Sequence, residues 1–341
     1  MDALFVGIDV AKATLAVAHW QNDAGRRLGE FPNTLAGFER LASRLRQEQA
    51  ARGAAAIHVA LEPTAGYELA LASFALEQGW RVSMPNPKQL RDWAKGLGQR
   101  AKTDDQDALL LARFAAERRP PAWHPLPPEV SELESLLERQ RDLEAMLQQE
   151  QNRQEALSVR PGVAARVAPN MQAVIEALAA ALADVRAAIQ QHLQTQPQLA
   201  EQARQLRSVP GVGEKSVLPL LVLLARWATL TGGTGAAKGL AAYVGLDPAT
   251  QRSGTSVRGR EGISRIGDRA MRARLYMCAL GGVKGDNALR AFYQRLVGRG
   301  KTKKVALVAA ARKVLVWSWA VYRDQLEFQP TRAGLKGEVA A

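Results

Sequence analysis

Four acidic residues in the first third of the chain have types and spacing suited to joint chemistry. Asp9 closes an apolar run in GIDVAKA, Glu62 closes another in VALEPTAGYE, and Asp104 and Asp107 stand three residues apart in KTDDQDALLLA, hence on one helix face. Charged residues at the tips of apolar strands must be solvated or engaged, and strand ends are where ligands bind in α/β sheets. Four carboxylates brought together repel and raise one another's pKa unless cations lie between them. Oxygen-only ligands suit magnesium, and two ions roughly 3.5 to 4 Å apart activate a nucleophile and steady a leaving oxygen in phosphoryl transfer. Taken singly, each acid has a plainer use: Asp9 capping a turn, Glu62 pairing with an arginine, Asp104 acting as N-cap after Thr103.

The elements that must position these acids are an alternation of strands and helices. LFVGI and TLAVAHW around the turn DVAKA make a hairpin, TLAGFERLASRLRQEQA has helical spacing through Leu35, Phe38, Leu41 and Leu45, and IHVALEP is a buried strand stopped by proline. GYELALASFALEQG is a helix closed by Gly79, WRVSMPNP a further strand, and the segment from Asp104 to about Glu117 the last helix. Residues 1–125 are thus expected to form an α/β layer.

Residues 126–203 change character. PPEVSELESLLERQRDLEAMLQQEQNRQEAL carries Leu133, Leu136, Leu137, Leu143, Met146 and Leu147 on an otherwise polar helix. After RPGV, a second helix repeats the pattern through Met171, Val174, Ile175, Leu178, Leu182, Val185 and Ile189. An antiparallel hairpin and an intermolecular coiled coil fit this pattern equally. Residues 204–325 read as a mainly helical unit interrupted by GGTGAAKG and by ATQRSGTSVRGREGISRIGDRA, and 326–341 have the composition of a loose tail.

Charge is unevenly placed. Of a formal net +13, all resides between Gln251 and Lys313, where 16 Lys or Arg face Glu261, Asp268 and Asp286. So local an excess points to a polyanion, most simply nucleic acid. Arg252, Arg258 and Arg260 crowd one loop, with Arg265 and Arg272 close behind, and Lys301, Lys303 and Lys304 form a cluster suited to backbone phosphates. SVPGVGEKS reads either as a helix-hairpin-helix gripping phosphate through Gly211, Gly213 and Lys215, or as a Pro-Gly turn between helices. The one cysteine, Cys278, excludes an internal disulfide and reads as a small buried hydrophobe, and four scattered histidines offer no zinc cluster. No uninterrupted apolar run reaches the roughly 18 residues of a membrane span. MDALFVGIDV lacks a basic leader, so a cytoplasmic location is expected.

Taken together, GIDVAKATLAVA, LEPTAGYE and KTDDQDALLLARFA resemble the three acidic motifs of the DEDD transposases of the insertion-sequence one-ten family. VPGVGEKS, LAAYVGLDPATQRSGTSVRGREGISRIGDRAMRARLYMCAL and RAFYQRLVGRGKTKKVALVAAARKVLV resemble that family's second domain, so the likeness runs over nearly the whole chain. It implies a RuvC-like, ribonuclease H-like first domain with Asp9, Glu62, Asp104 and Asp107 as catalytic metal ligands for magnesium, with manganese able to substitute, and Lys102 beside them. It also implies a nucleophilic serine at Ser253, with Ser256 as the alternative. Without the resemblance, a serine before glycine is a turn residue. The implied activity is excision and insertion of a mobile element through a covalent serine–DNA intermediate, on donor and target DNA, guided by a structured bridge RNA. A homodimer or tetramer is expected. The competing expectations are a metal-dependent, Holliday-junction-type endonuclease without serine adduct, and a non-enzymatic nucleic-acid scaffold.

Overall fold

The computed structural model describes residues 3–64, 66–98, 104–159, 164–249, 252–253, 257–258 and 262–330, with backbone alone at 104–105, 164–165, 252–253 and 257–258. Two compact units are present: residues 1–125, and nearly all of the remainder.

The first unit begins with β1 (Leu4–Val10), β2 (Thr14–Gln21) and β3 (Ala24–Pro32), paired antiparallel. Helix α1 (Leu35–Arg52) follows, then β4 (Ile57–Leu61), α2 (Leu69–Glu77), β5 (Arg81–Ser83), α3 (Pro87–Gly96) and α4 (Asp104–Arg118). The mixed sheet has the order β3-β2-β1-β4-β5, with β4 parallel to both β1 and β5. Alternation divides the core. Leu4, Val6, Ile8 and Val10 of β1 join Ile57, Val59 and Leu61 of β4 against Phe38, Leu41 and Leu45 of α1 and Leu71 and Ala75 of α2. On the opposite face, Phe5 and Ala60 pack with Leu90 and Ala94 of α3 and Leu111, Phe114 and Ala115 of α4. α1 starts where Thr34 Oγ1 accepts the Gly37 N–H and stops at Gly53, which has φ +60°.

β3 and α3 go beyond the elements that the sequence pattern predicts. β3 is largely exposed and carries Arg26 and Arg27, so it shows no apolar alternation. It is joined to β2 through Asn22 and Asp23, both at positive φ, the pair a primed two-residue turn requires. α3 is capped by Asn86, whose side chain accepts from Lys88 and Gln89 N–H, with Pro87 at the first helical position.

The second unit opens with α5 (Pro128–Ser158) and α6 (Ala164–Thr195). These run antiparallel as an intrachain hairpin, fixed by Gln154 to Gln172 at 2.9 Å, Arg186 to Glu144 at 2.9 Å and His192 against the Glu129 carbonyl at 2.8 Å. Leu133, Leu143, Met171, Leu182 and Ile189 are buried along it, as expected. Met146 and Val174, placed on the seam by spacing, are instead 48% and 40% exposed, because a 3.6-residue period drifts off a narrow contact line.

Then come α7 (Pro197–Arg207), α8 (Glu214–Thr231) and α9 (Ala237–Val244), the two-residue strands β6 (Pro248–Ala249), β7 (Arg252–Ser253), β8 (Val257–Arg258) and β9 (Gly262–Ile263), and α10 (Arg269–Gly282), α11 (Ala288–Gly298) and α12 (Lys303–Asp324). α12 is long and apolar enough to cross a membrane by length and composition, but 56% of that window is buried in the fold, as in a core helix. Trp317 and Trp319 are both buried in it, the latter donating to the Gly235 carbonyl at 2.9 Å.

Candidate functional site

The parallel register of β1 with β4 pairs Ile8 with Leu61, which puts Asp9 and Glu62 one step beyond, at the C-terminal ends of neighbouring strands. Alternation turns Asp9 toward the face of Phe5 and Gly7, and Glu62 toward the face of Ala60, the side covered by α3 and α4.

α4 brings the remaining acids to the same end. A Cβ on Gly7 would lie 2.0 Å from the Ala108 carbonyl oxygen and 2.3 Å from the Ala112 nitrogen, so helix and strand touch backbone to backbone. Further along, Phe114 and Ala115 pack with Phe5, and the Arg119 guanidinium lies 5.1 Å from the Phe5 ring centroid. The helix therefore runs antiparallel to β1. Its first turn, with Asp104 and Asp107, belongs to the end of the sheet where Asp9 and Glu62 close their strands. Ala16 and Ala18 of β2 pack with Ala108, small residues that permit the close approach. For Asp104 the backbone alone is described. Among the described residues, no three His, Cys, Asp or Glu side chains are grouped to hold a metal ion.

A cation already attends this edge. Arg91 of α3 has Nη2 3.8 Å from Glu62 Oε1, with the arginine side chain 68% exposed and the glutamate 20%. In the sequence Arg91 reads only as part of a basic run. The signal for its placement is the Asn-Pro helix start, which sets α3 in register; Trp93 then locks that helix edge-on to Phe114 at 5.2 Å. Below the acids, His58 is buried on β4, with Nε2 2.9 Å from Ser83 Oγ. Burial, reinforced by the Arg81 and Arg119 charges, lowers its pKa to about 4.

In the second unit the basic loop is a two-tier hairpin. Pro248 pairs with Ile263 and Ala249 with Gly262, then Arg252 with Arg258 and Ser253 with Val257. Ser253 is thus placed by its pairing with Val257; its side chain and those of Arg252 and Arg258 lie outside the described residues, as do Ser256, Arg260 and Lys102. The base of the hairpin is tied firmly. Ser264 Oγ donates to Asp247, the Arg265 N–H donates to the Gly245 carbonyl at 3.2 Å, and Arg272 Nη1 donates to the Val244 and Gly267 carbonyls at 3.0 and 2.9 Å. Arg272, expected among the phosphate contacts, thereby spends donors on the fold; Arg265 is exposed.

Gly211, at φ +92°, is held in the turn between α7 and α8, where a Cβ would lie 2.2 Å from the Cys278 carbonyl oxygen, so packing on α10 accounts for this glycine. Gly213 caps α8 in extended conformation, and both it and Lys215 are exposed. Lys301, Lys303 and Lys304 are exposed before and within the first turn of α12. Cys278 is buried, and burial raises its thiol pKa.

A protein family described as "Transposase" matches residues 6–157, and the "Transposase IS116/IS110/IS902 family" matches residues 203–294. The pilin gene-inverting protein of Moraxella bovis is 33% identical over 334 residues, spanning 96% of this chain and 98% of that protein. The chain belongs to the IS110 family of transposases. The pilin gene-inverting protein of Moraxella lacunata aligns to the same extent, and the Insertion element IS110 uncharacterized 43.6 kDa protein of Streptomyces coelicolor is 38% identical over 121 residues, 35% of this chain and 28% of its own length. As an IS110-family transposase, the chain recombines DNA.

Proposed function

We propose that this IS110-family transposase cuts and exchanges DNA strands with a divalent-cation centre on the first unit and a serine nucleophile on the second. The observation that carries the first half is the β1–β4 register, which sets Asp9 beside Glu62, together with the backbone contact of Gly7 with α4 that delivers Asp104 and Asp107 to the same sheet end. The sheet order, with an antiparallel three-strand meander extended by parallel β4 and β5, supports a ribonuclease H-like reading of this unit.

The donor set fits a hard cation: four carboxylates, no sulfur, no imidazole. Asp9, Glu62, Asp104 and Asp107 would hold magnesium, or manganese in its place, and the bound ions would supply charge neutralisation at the scissile phosphate.

Ser253 Oγ attacks the phosphorus of one backbone linkage. One Oγ–P bond forms, one backbone P–O bond breaks, and the proton lost by the serine hydroxyl is balanced by the one the leaving oxygen takes up to depart as a hydroxyl. Attack by a hydroxyl of a second strand reverses this on a new partner and frees the serine. Arginines of the hairpin balance the charge that develops on the phosphate. Guidance by a structured bridge RNA, assembly as a dimer or tetramer, and a cytoplasmic location complete the reading. The RNA-guided part is supported by the basic block between Gln251 and Lys313, whose charge suits backbone and shape recognition. The names of the Moraxella relatives suggest inversion of a DNA segment as one outcome of the same exchange.

The deciding experiment incubates wild type, Ser253→Ala and Ser256→Ala with element-end DNA, magnesium and the flanking transcript, then resolves products under denaturing conditions. A protein–DNA adduct in wild type and Ser256→Ala, absent in Ser253→Ala, is expected. Cleavage at the wild-type rate in Ser253→Ala would replace the covalent step by metal-dependent hydrolysis.

A further inference from the structure

Asn33 plays no part in the chemistry above, yet its amide joins the two turns on which the acidic set depends. Beyond Asp9 the chain turns through Ala11 and Ala13 into β2; beyond Glu62 it turns through Thr64 and Tyr67 into α2. Half-buried between β3 and α1, Asn33 donates from Nδ2 to the Ala11 carbonyl at 3.0 Å and to the Tyr67 carbonyl at 3.2 Å. Its backbone N–H donates to the Ala13 carbonyl at 2.9 Å. Two carbonyl acceptors leave no ambiguity about which amide atom faces them, and one nitrogen with two protons is what the pair of acceptors needs.

The second turn is also tied within itself. Glu68, 5% exposed, accepts the Thr64 N–H at 2.9 Å, and Thr64 Oγ1 donates to the Glu62 carbonyl at 3.2 Å. Within the first turn, the Ala11 N–H donates to the Thr14 carbonyl at 2.9 Å. The Asn33 amide spans from one turn to the other.

We propose that Asn33 is a positioning residue for the carboxylate centre: its amide holds together the turns that leave the paired strand ends bearing Asp9 and Glu62, and so sets how tightly a divalent cation is held. This rests on the metal reading above. Outer residues that orient ligands are worth about 10–100-fold in metal affinity.

The test titrates Mn2+ alone into the full-length protein and its Asn33→Ala, Asn33→Asp, Thr34→Ala and Asp9→Asn variants, with melting temperatures recorded for each. Asn33→Asp is nearly isosteric but turns an acceptor toward two carbonyls. Thr34→Ala removes the adjacent α1 cap, in which the Thr34 side chain accepts the Gly37 N–H, and leaves the Asn33 amide in place. Both Asn33 variants are expected to bind Mn2+ about tenfold or more weakly, Thr34→Ala to bind as wild type at a comparable melting temperature, and high Mn2+ to restore strand cleavage in Asn33→Ala. Unchanged Mn2+ affinity in the Asn33 variants, equal weakening in Thr34→Ala, or unfolding of both Asn33 variants would overturn the inference alone. A wild type that binds no Mn2+, or binds it as Asp9→Asn does, would overturn the metal reading and this inference with it.

Discussion

Gly7 of β1 and Ala108 of α4 meet backbone to backbone, leaving no room for a side chain between strand and helix. Replacing Gly7 by alanine would put a methyl group 2.0 Å from a carbonyl oxygen that cannot rotate away. Overpacking of this kind costs about 1–3 kcal/mol or more. Because relief requires α4 to lift and Asp107 lies one residue before the contact, strand cleavage should fall further than stability does. Melting temperature and cleavage rate measured on Gly7→Ala check this, and a variant that is fully active would place the carboxylates independently of that contact.

Loss of a single carboxylate should abolish cleavage without unfolding the first unit. Asp9→Asn and Asp107→Asn are expected to lower the cleavage rate more than about a hundredfold, since even outer-shell partners of a metal contribute 10–100-fold. Circular dichroism should stay unchanged, because both side chains are only partly buried, at a sheet end. Retained cleavage in either variant would remove that residue from the centre.

His58 makes the first unit sensitive to acid. Its pKa is held at about 4 in the fold, against 6.5 for the free side chain, chiefly by burial and then by Arg81 and Arg119. A depressed value means that the unfolded chain binds the proton more readily, so stability is whole above pH 6.5 and is lost as pH falls from there toward 4. The full effect is roughly 3 kcal/mol. His58→Asn keeps a polar partner for Ser83 and should flatten this part of the pH dependence, as seen in melting temperatures between pH 7.5 and 4.5. Parallel profiles for both proteins would show that other groups govern acid unfolding.

How much of this is legible in the sequence depends on whether a residue's reason lies in its own neighbourhood. β1, β2, β4 and α1 announce themselves because one face of each must be apolar, and Asp9 and Glu62 stand out as the charged residues that end such runs. The start of α4 at Asp104 is legible too. β3 escapes the pattern because an exposed edge strand needs no apolar alternation, although Asn22-Asp23 holds the turn signal; α3 escapes it because Asn86-Pro87 stops a strand and begins a helix at the same place. Arg91 beside Glu62 and Asn33 between two turns depend on pairing between distant segments, which periodicity does not encode. The β6 to β9 strands are two residues each, too short to carry any pattern.

The hairpin offers a clean contrast of burial at fixed chemistry. Leu143 is 1% exposed against α6, whereas Met146, one turn on, is 48% exposed. Leu143→Ala should cost about 2–5 kcal/mol, and Met146→Ala about 0.5 kcal/mol or less, as read from chemical denaturation of the full chain. A large cost at Met146 would mean that a second copy covers it in solution.

Lys303 and Lys304 occupy the first turn of α12, where Thr302 caps and no acidic residue is present. Cations there oppose the helix dipole, at about 0.3–1 kcal/mol each. Residues that weaken their own helix are better explained by a partner than by the fold. Changing Lys301, Lys303 and Lys304 together to glutamine should therefore raise the melting temperature slightly while weakening DNA binding. Every phosphate left without its lysine lowers the slope of log Kobs against log salt by about 0.9, so the triple variant should lose roughly 2.7 on duplex DNA of arbitrary sequence. Arg272→Gln should behave in the opposite way, since its guanidinium ties the Val244 and Gly267 carbonyls: stability falls and the slope hardly changes. A triple lysine variant with the wild-type slope would take this cluster off the DNA and leave its unfavourable position on α12 without a physical cause.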